Sequence, residues 1–318
     1  MASEAVKTIG RPVPIRTGDR AFSLLLATAA GGVLLLMAAM LVTLLMGAWP
    51  AIRRFGWAFF VTSTWDPVAE EFGALPFIYG TLVSSALALL MAIPLGLGTA
   101  IFLSELAPEW IRFPVGFLVE LLAAVPSVVF GLWGIFVLVP CVRTGLTPLL
   151  KSTLGFLPLF QGPPLGIGML TAGVILAMMV VPFIVAVSTE VMRAVPMSQR
   201  EAAIALGATR WEMIRTAVLP SARSGILGAI FLAMARALGE TMAVTMVIGN
   251  VPQIKTSLLA PAYTIPAVIA NEFTEATSDL YVAALIYLAL VLFLVTVVIN
   301  IFARLLVERV KGTGGKEA

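Results

Sequence analysis

Two charged residues stand deep inside a mostly apolar stretch of chain. Arg236 and Glu240 fall within residues 221–250, and a charge at the centre of a bilayer costs about 2.5–3.5 kcal/mol on insertion scales. Their i, i+4 spacing puts them on one face of a single helix, so one reading is a self-neutralising ion pair. Base before acid is the less favourable order for such a pair, and intramembrane charges normally face a bundle interior or an aqueous path. The second reading, which these points favour, is a pathway for a polar solute. Glu120 is a third acid near the inner end of another apolar stretch; it can pair with Arg112, pair with a base on another subunit, or snorkel to the interface. Ser127, Thr241 and Thr245 can supply hydroxyl donors along such a path, though helix packing explains them equally well.

Little other chemistry is available. The chain has no histidine, which excludes an HExxH metal helix, a Ser-His dyad and a His proton relay. Cys141 is the only cysteine, so there is no internal disulfide framework and no cysteine zinc cluster. The one Gly-Lys step, Gly315-Lys316, is followed by Glu317 and is no nucleotide-binding loop. No catalytic residue, metal site or cofactor is expected in this chain, and its aspartates, Asp19, Asp66 and Asp279, sit at or outside the ends of the apolar stretches.

The elements that hold these residues follow from composition. Of 318 residues, 60% are hydrophobic and 12% charged, against about 45–50% and about 25% in soluble domains. The pattern predicts an all-α, polytopic membrane protein with six spans at about 21–48, 75–104, 112–140, 168–192, 221–250 and 280–303. Pro94, Pro126 and Pro182 fall inside three of them and predict kinks. Residues 1–20 read as a flexible tail, 21–306 as the permeation domain with its core at 75–306, and 307–318 as a second tail. The first apolar run is too long for a signal peptide.

With the N-terminus inside, the inner segments carry four, one, five and four Lys or Arg and the outer segments two, two and one. This excess of 14 over 5 places both termini in the cytoplasm of a multi-pass protein. The basic residues flank spans, so no nucleic-acid partner is implied. Trp49, Trp57 and Trp65 suit the outer headgroup level.

The loop from Arg193 to Pro220 is then cytoplasmic. Ser198-Gln199-Arg200-Glu201 has the spacing of a capping box and predicts a helix ended by Gly207. Thr209-Arg210-Trp211-Glu212 repeats the box, with Pro220 as the outer limit of the second helix. Trp211, Ile214 and Val218 share one face of it and predict an apolar knob. Pattern alone permits an interfacial anchor or a helix pair docking in a partner's groove.

Glu201-Ala202-Ala203, then Gly207 after three residues, then Leu219-Pro220 resemble the EAA motif of bacterial ABC importer permeases, with Ala217 where the motif has Ile. The resemblance implies an ABC importer type I permease (MetI-like) fold, and a coupling role on an ATPase subunit for Glu201, Ala202, Ala203, Gly207, Trp211, Ile214, Leu219 and Pro220. Further blocks, Phe102–Pro108, Glu120 with Val125–Gly134, Thr171–Leu176 and Arg236–Thr241, are similar to the phosphate-importer permease of the PstC type. That resemblance implies a PstA-like second permease, a PstB-like ATPase dimer carrying ATP and Mg, and a PstS-like phosphate-binding protein. It also makes Arg236 the expected contact for inorganic phosphate, since a guanidinium meets an oxyanion with paired charge-assisted bonds. Glu240, Glu120, Ser127 and Thr241 are expected beside it on the path. Competing readings are a permease for sulfate or molybdate and a secondary transporter, the latter lacking an evident internal repeat.

Overall fold

The computed structural model describes residues 17–312, and among these six helices are long and apolar enough to cross a membrane. The described chain forms two compact units that divide between Gly47 and Ala48. Helix α1 (Thr17–Phe55) supplies the first, whose residues 22–40 are exposed throughout. The helix begins inside the segment expected to be a flexible tail; residues 1–16 of that tail lie outside the described residues.

In the second unit, α2 (Ala58–Val61) and a two-stranded antiparallel hairpin, β1 (Trp65–Asp66) with β2 (Glu71–Phe72), lead into α3 (Leu75–Ile101). The π turn Phe102–Leu106 ends α3. Trp65 is half-buried at the hairpin. Its indole donates to Glu272 Oε2 at 2.8 Å and its ring stands 4.8 Å from those of Phe72 and Phe77.

The third span differs from the expected 112–140. Helix α4 (Glu109–Ala124) stops before Pro126, and the span runs instead from Ser127 to Leu154 as α5 (Ser127–Trp133), α6 (Val139–Cys141) and α7 (Thr147–Leu154), linked by π turns. A residue before proline is pushed out of the helical region, and Val125 is extended at φ −65°, ψ 128°. Pro126 is therefore a break, whereas Pro94 and Pro182 do lie inside helices. α4 has no fully buried residue; Ile111, Val115 and Val119 lean on Leu103, Ala107 and Val185.

Helix α8 (Met169–Arg193) is the most enclosed span. It packs on α3 through glycines on both sides: a Cβ on Gly96 would lie 2.7 Å from Ile184, and one on Gly173 2.6 Å from Leu87. Small residues permit this backbone approach, the usual device where lipid gives no hydrophobic drive between helices. Helices α9 (Met197–Ala205) and α10 (Arg210–Met213) follow. The π turn Ile214–Val218 then joins α10 to α11 (Leu219–Gly239) in one continuous helix from Arg210 to Gly239.

Pro220 thus does not limit the second loop helix. It has no N–H to offer, and the π turn, in which Leu219 N–H bonds to Ile214 O, absorbs the mismatch. The expected span 221–250 breaks after Gly239 and resumes as α12 (Met242–Val247). Helix α13 (Ile265–Glu272) precedes α14 (Asp279–Gly312), which continues as helix into the expected C-terminal tail; residues 313–318 lie outside the described residues.

Candidate functional site

Arg236 and Glu240 do not share one helix face. α11 ends at Gly239, Glu240 is extended at φ −69°, ψ 128°, and Thr241 turns the chain before α12 begins. The ion pairs among the described residues are Arg193–Glu190 and Arg200–Glu105, so the self-neutralising pair does not form. Instead each charge sits where a helix end suits it. Arg236 is in the last turn of α11, near its partly negative carbonyl end, and Glu240 precedes the first amides of α12. Glu240 Oε1 accepts from Ala243 N–H at 3.4 Å.

The Arg236 guanidinium lies over the face of Phe183, 4.4 Å from the ring centroid, a residue not foreseen in the site. Its Nε–H is buried and has no acceptor among the described residues. A ring quadrupole attracts the cation without neutralising it.

α5 and α12 run side by side in the same direction. A Cβ on Gly131 would lie 3.2 Å from Ala243 Cα, and one on Gly134 2.8 Å from Val247. Gly131 is one turn into α5 and Ala243 is in the first turn of α12, so the start of α12 meets α5 about one turn past the break at Pro126. Ser127 opens α5 with no side-chain hydrogen bond among the described residues, while the Thr241 hydroxyl donates to Gly239 O at 3.3 Å and Thr245 donates to Thr241 O at 2.8 Å. Glu120 does not join this group. It is exposed on α4, in a cleft of about 420 Å³ with Glu109, Arg112, Phe113 and Arg193. Arg112 makes no pair with it and donates to Ala107 O at 3.1 Å.

The loop after α8 folds as a helix pair, with one box formed and one not. α9 starts after Pro196, which places Ser198 inside the helix with no capping bond. Gly207 is left-handed at φ +86°; its N–H bonds to Ile204 O at 2.9 Å and that of Ala208 to Ala203 O at 3.2 Å, a Schellman ending. The Thr209 box is complete: its hydroxyl accepts from Glu212 N–H at 3.3 Å, and Glu212 Oε2 accepts from Thr209 N–H at 2.8 Å.

Ile214 and Val218 are fully buried against Ala100, Met192 and Val195, so they form no external knob. Spacing assigned them to one face of the helix but could not say that the face turns toward α3 and α8. The exposed apolar surface consists of Trp211 at 57%, Leu206 at 90%, Ile204 and Met197. Glu201, Ala202, Gly207 and Pro220 are exposed, whereas Ala203 and Leu219 are half-buried. Sequence reasoning had pointed to none of Leu206, Met197 and Phe183 as site residues: Phe183 reads as one more apolar span residue, and Leu206 and Met197 as ordinary residues of the loop helix.

Residues 92–312 match the family model for the inner membrane component of binding-protein-dependent transport systems. The chain belongs to that family. Its curated relatives include the "Phosphate transport system permease protein PstC" of Mesorhizobium japonicum, 48% identical over 301 residues that cover 93% of this chain and 92% of the relative. The protein of the same description from Haemophilus influenzae is 44% identical, covering 89% and 91%. Among solved structures, a bacterial ABC transporter involved in import of the acidic polysaccharide alginate superposes with a TM-score of 0.57 at 21% identity, covering 91% of this chain and 96% of that one. The MetNI methionine ABC transporter, inward facing, superposes with a TM-score of 0.55 at 16% identity, covering 78% and 99%. At those identities the likeness establishes the fold, that of the MetI-like permeases.

The matched segment of this inner membrane component takes in both halves of the site, the Arg236 break and the α9–α10 pair. α1 and the first turns of α3 lie before it.

Proposed function

We propose that this permease conducts inorganic phosphate into the cell as one subunit of an ATP-driven importer. It acts with a PstA-like second permease, a PstB-like ATPase dimer that binds ATP and Mg, and a PstS-like extracytoplasmic binding protein. The single observation that carries the reading is the Arg236 guanidinium, held on Phe183 with a free Nε–H and no carboxylate partner among the described residues. It stands at a break in the fifth span, in a chain nearly half identical to permeases described as carrying phosphate. Broken membrane helices place backbone ends and charges where a solute crosses.

In this mechanism Arg236 donates charge-assisted hydrogen bonds to phosphate oxygens as they leave water. Ser127 and Thr241, at the two helix breaks, offer hydroxyls, and Glu240 repels the anion enough to let it go. Glu120, in the cleft on α4, lies on the inward side of the same path. Closure of the ATPases moves the α9–α10 pair, with Glu201, Gly207, Trp211 and Leu206 at the contact, and rocks the bundle between outward and inward access. The Lys and Arg bias supports both termini facing the cytoplasm.

Arg236→Gln tests the assignment in the intact complex. Uptake is expected to fall to background while the ATPase still copurifies; uptake at the normal rate overturns it.

A further inference from the structure

The cytoplasmic end of α3 and the helix α9 are distant in sequence and meet through one largely buried ion pair. The side chains of Arg200 and Glu105 are 11% and 5% exposed. Arg200 Nη2 donates to Glu105 Oε1 at 2.9 Å and Nε to Oε2 at 3.3 Å, a two-pronged fit. The same guanidinium donates through Nη2 to Met192 O at 2.7 Å and through Nη1 to Val195 O. One side chain therefore joins α9, the end of α8 and the end of α3.

The rest of the junction is of another kind. Ala203, Met213, Ile214 and Val218 press on Ala100, Met192 and Val195 through apolar contact, and Ser221 donates to Gln199 at 2.7 Å on the exposed surface. Apolar contacts have no preferred direction and permit sliding, whereas a planar fork facing a carboxylate and two carbonyls fixes both distance and angle. A buried pair adds little to stability, because desolvation offsets the attraction. Glu105 itself stands in the π turn Phe102–Leu106. The wider turn rotates it out of the register a continuous α-helix would give, and such insertions recur at functional sites.

We propose that Arg200 and Glu105 are positioning residues that carry movement of the ATPase-docked helix pair into α3 and α8, and so tie ATP hydrolysis to opening of the path. This rests on the importer reading above. A transporter lacking the pair still docks its ATPase through the exposed face of α9 and α10, hydrolyses ATP, and moves less phosphate for each ATP spent.

The complete importer, reconstituted in lipid vesicles with its ATPase, second permease and binding protein, gives the measurement: phosphate imported per ATP hydrolysed. Glu105→Gln keeps the shape and removes the charge; Arg200→Lys keeps the charge and removes the fork. The ratio is expected to fall about tenfold in the first and less in the second, with ATP hydrolysis per complex retained. A pair that only supports the fold lowers the yield of complex and leaves the ratio at the wild-type value, which overturns the proposal. A second variant covers misfolding: Glu105→Cys with Arg200→Cys, in a Cys141→Ser chain with cysteine-free partners, is compared before and after bridging by a reversible bis-thiosulfonate. The ratio is expected to rise on bridging and fall on reduction, and a ratio indifferent to the bridge overturns the proposal. A wild-type complex that imports no phosphate with ATP removes the importer reading instead, and shows itself before any variant is made.

Discussion

The guanidinium of Arg236 rests on the ring of Phe183, 4.4 Å from its centroid, and the two side chains come from different spans, α11 and α8. The ring holds the cation in place without cancelling its charge, as a neighbouring carboxylate would. Removing the ring leaves the charge present and its position loose. Phe183→Leu is expected to lower phosphate uptake by several-fold to about thirtyfold, since a cation–π contact is worth about 0.5–1 kcal/mol when exposed and about 2 kcal/mol or more when desolvated. Phe183→Tyr should retain most of the activity. Uptake kinetics in vesicles check both, and equal rates for leucine and phenylalanine would remove the ring from the site.

Glu240 makes one long hydrogen bond, to the amide of Ala243, and its charge faces the same break as Arg236. Glu240→Gln keeps that acceptor and removes the repulsion between carboxylate and anion. Half-saturation is therefore expected at lower phosphate and maximal uptake at a lower rate, as release slows. A variant with unchanged affinity and rate would show that the carboxylate does not face the path.

Gly207 has open space where a Cβ would go, but its φ of +86° disfavours any other residue. Gly207→Ala is expected to cost about 1–2 kcal/mol locally, with little change in the melting temperature of the whole chain. The Schellman ending and the adjacent box set the angle between α9 and α10, so ATPase copurification should weaken. Gly207→Asn, which tolerates the left-handed region, should weaken it less.

Gly131 lets α5 lie against α12. A methyl there meets the Ala243 backbone at 3.2 Å and also Met246. The methionine can move and the backbone cannot, so Gly131→Ala is expected to destabilise the permease by about 1–3 kcal/mol. Uptake should fall with it, because the helices that move apart are the ones flanking the breaks. Thermal unfolding in detergent and uptake in vesicles are the measurements.

What the sequence made legible divides along physical lines. Span number and the helical loop follow from composition and capping chemistry, which act over a few residues: the Thr209 box forms as its spacing predicts. The Ser198 box has the same spacing and does not form, because Pro196 already serves as the start of α9. The break after Gly239 has no local mark, since glycine is common within membrane helices. Ile214 and Val218 were correctly placed on one face, but periodicity does not say whether that face meets a partner or the chain itself. Arg200, read within the Ser198 box, and Glu105, read within the block Phe102–Pro108, are 95 positions apart, and no window of residues could bring them together.

The π turn at Ile214–Val218 has a mechanical consequence. By absorbing Pro220 it keeps Arg210–Gly239 a single rod of 30 residues with the exposed Trp211 near one tip and Arg236 near the other. At about 1.5 Å of rise per residue the rod is about 45 Å long, so a tilt of about 5° displaces one tip by about 4 Å relative to the other. A lever of that length turns a small rotation at the cytoplasmic surface into a shift comparable to the width of a small oxyanion.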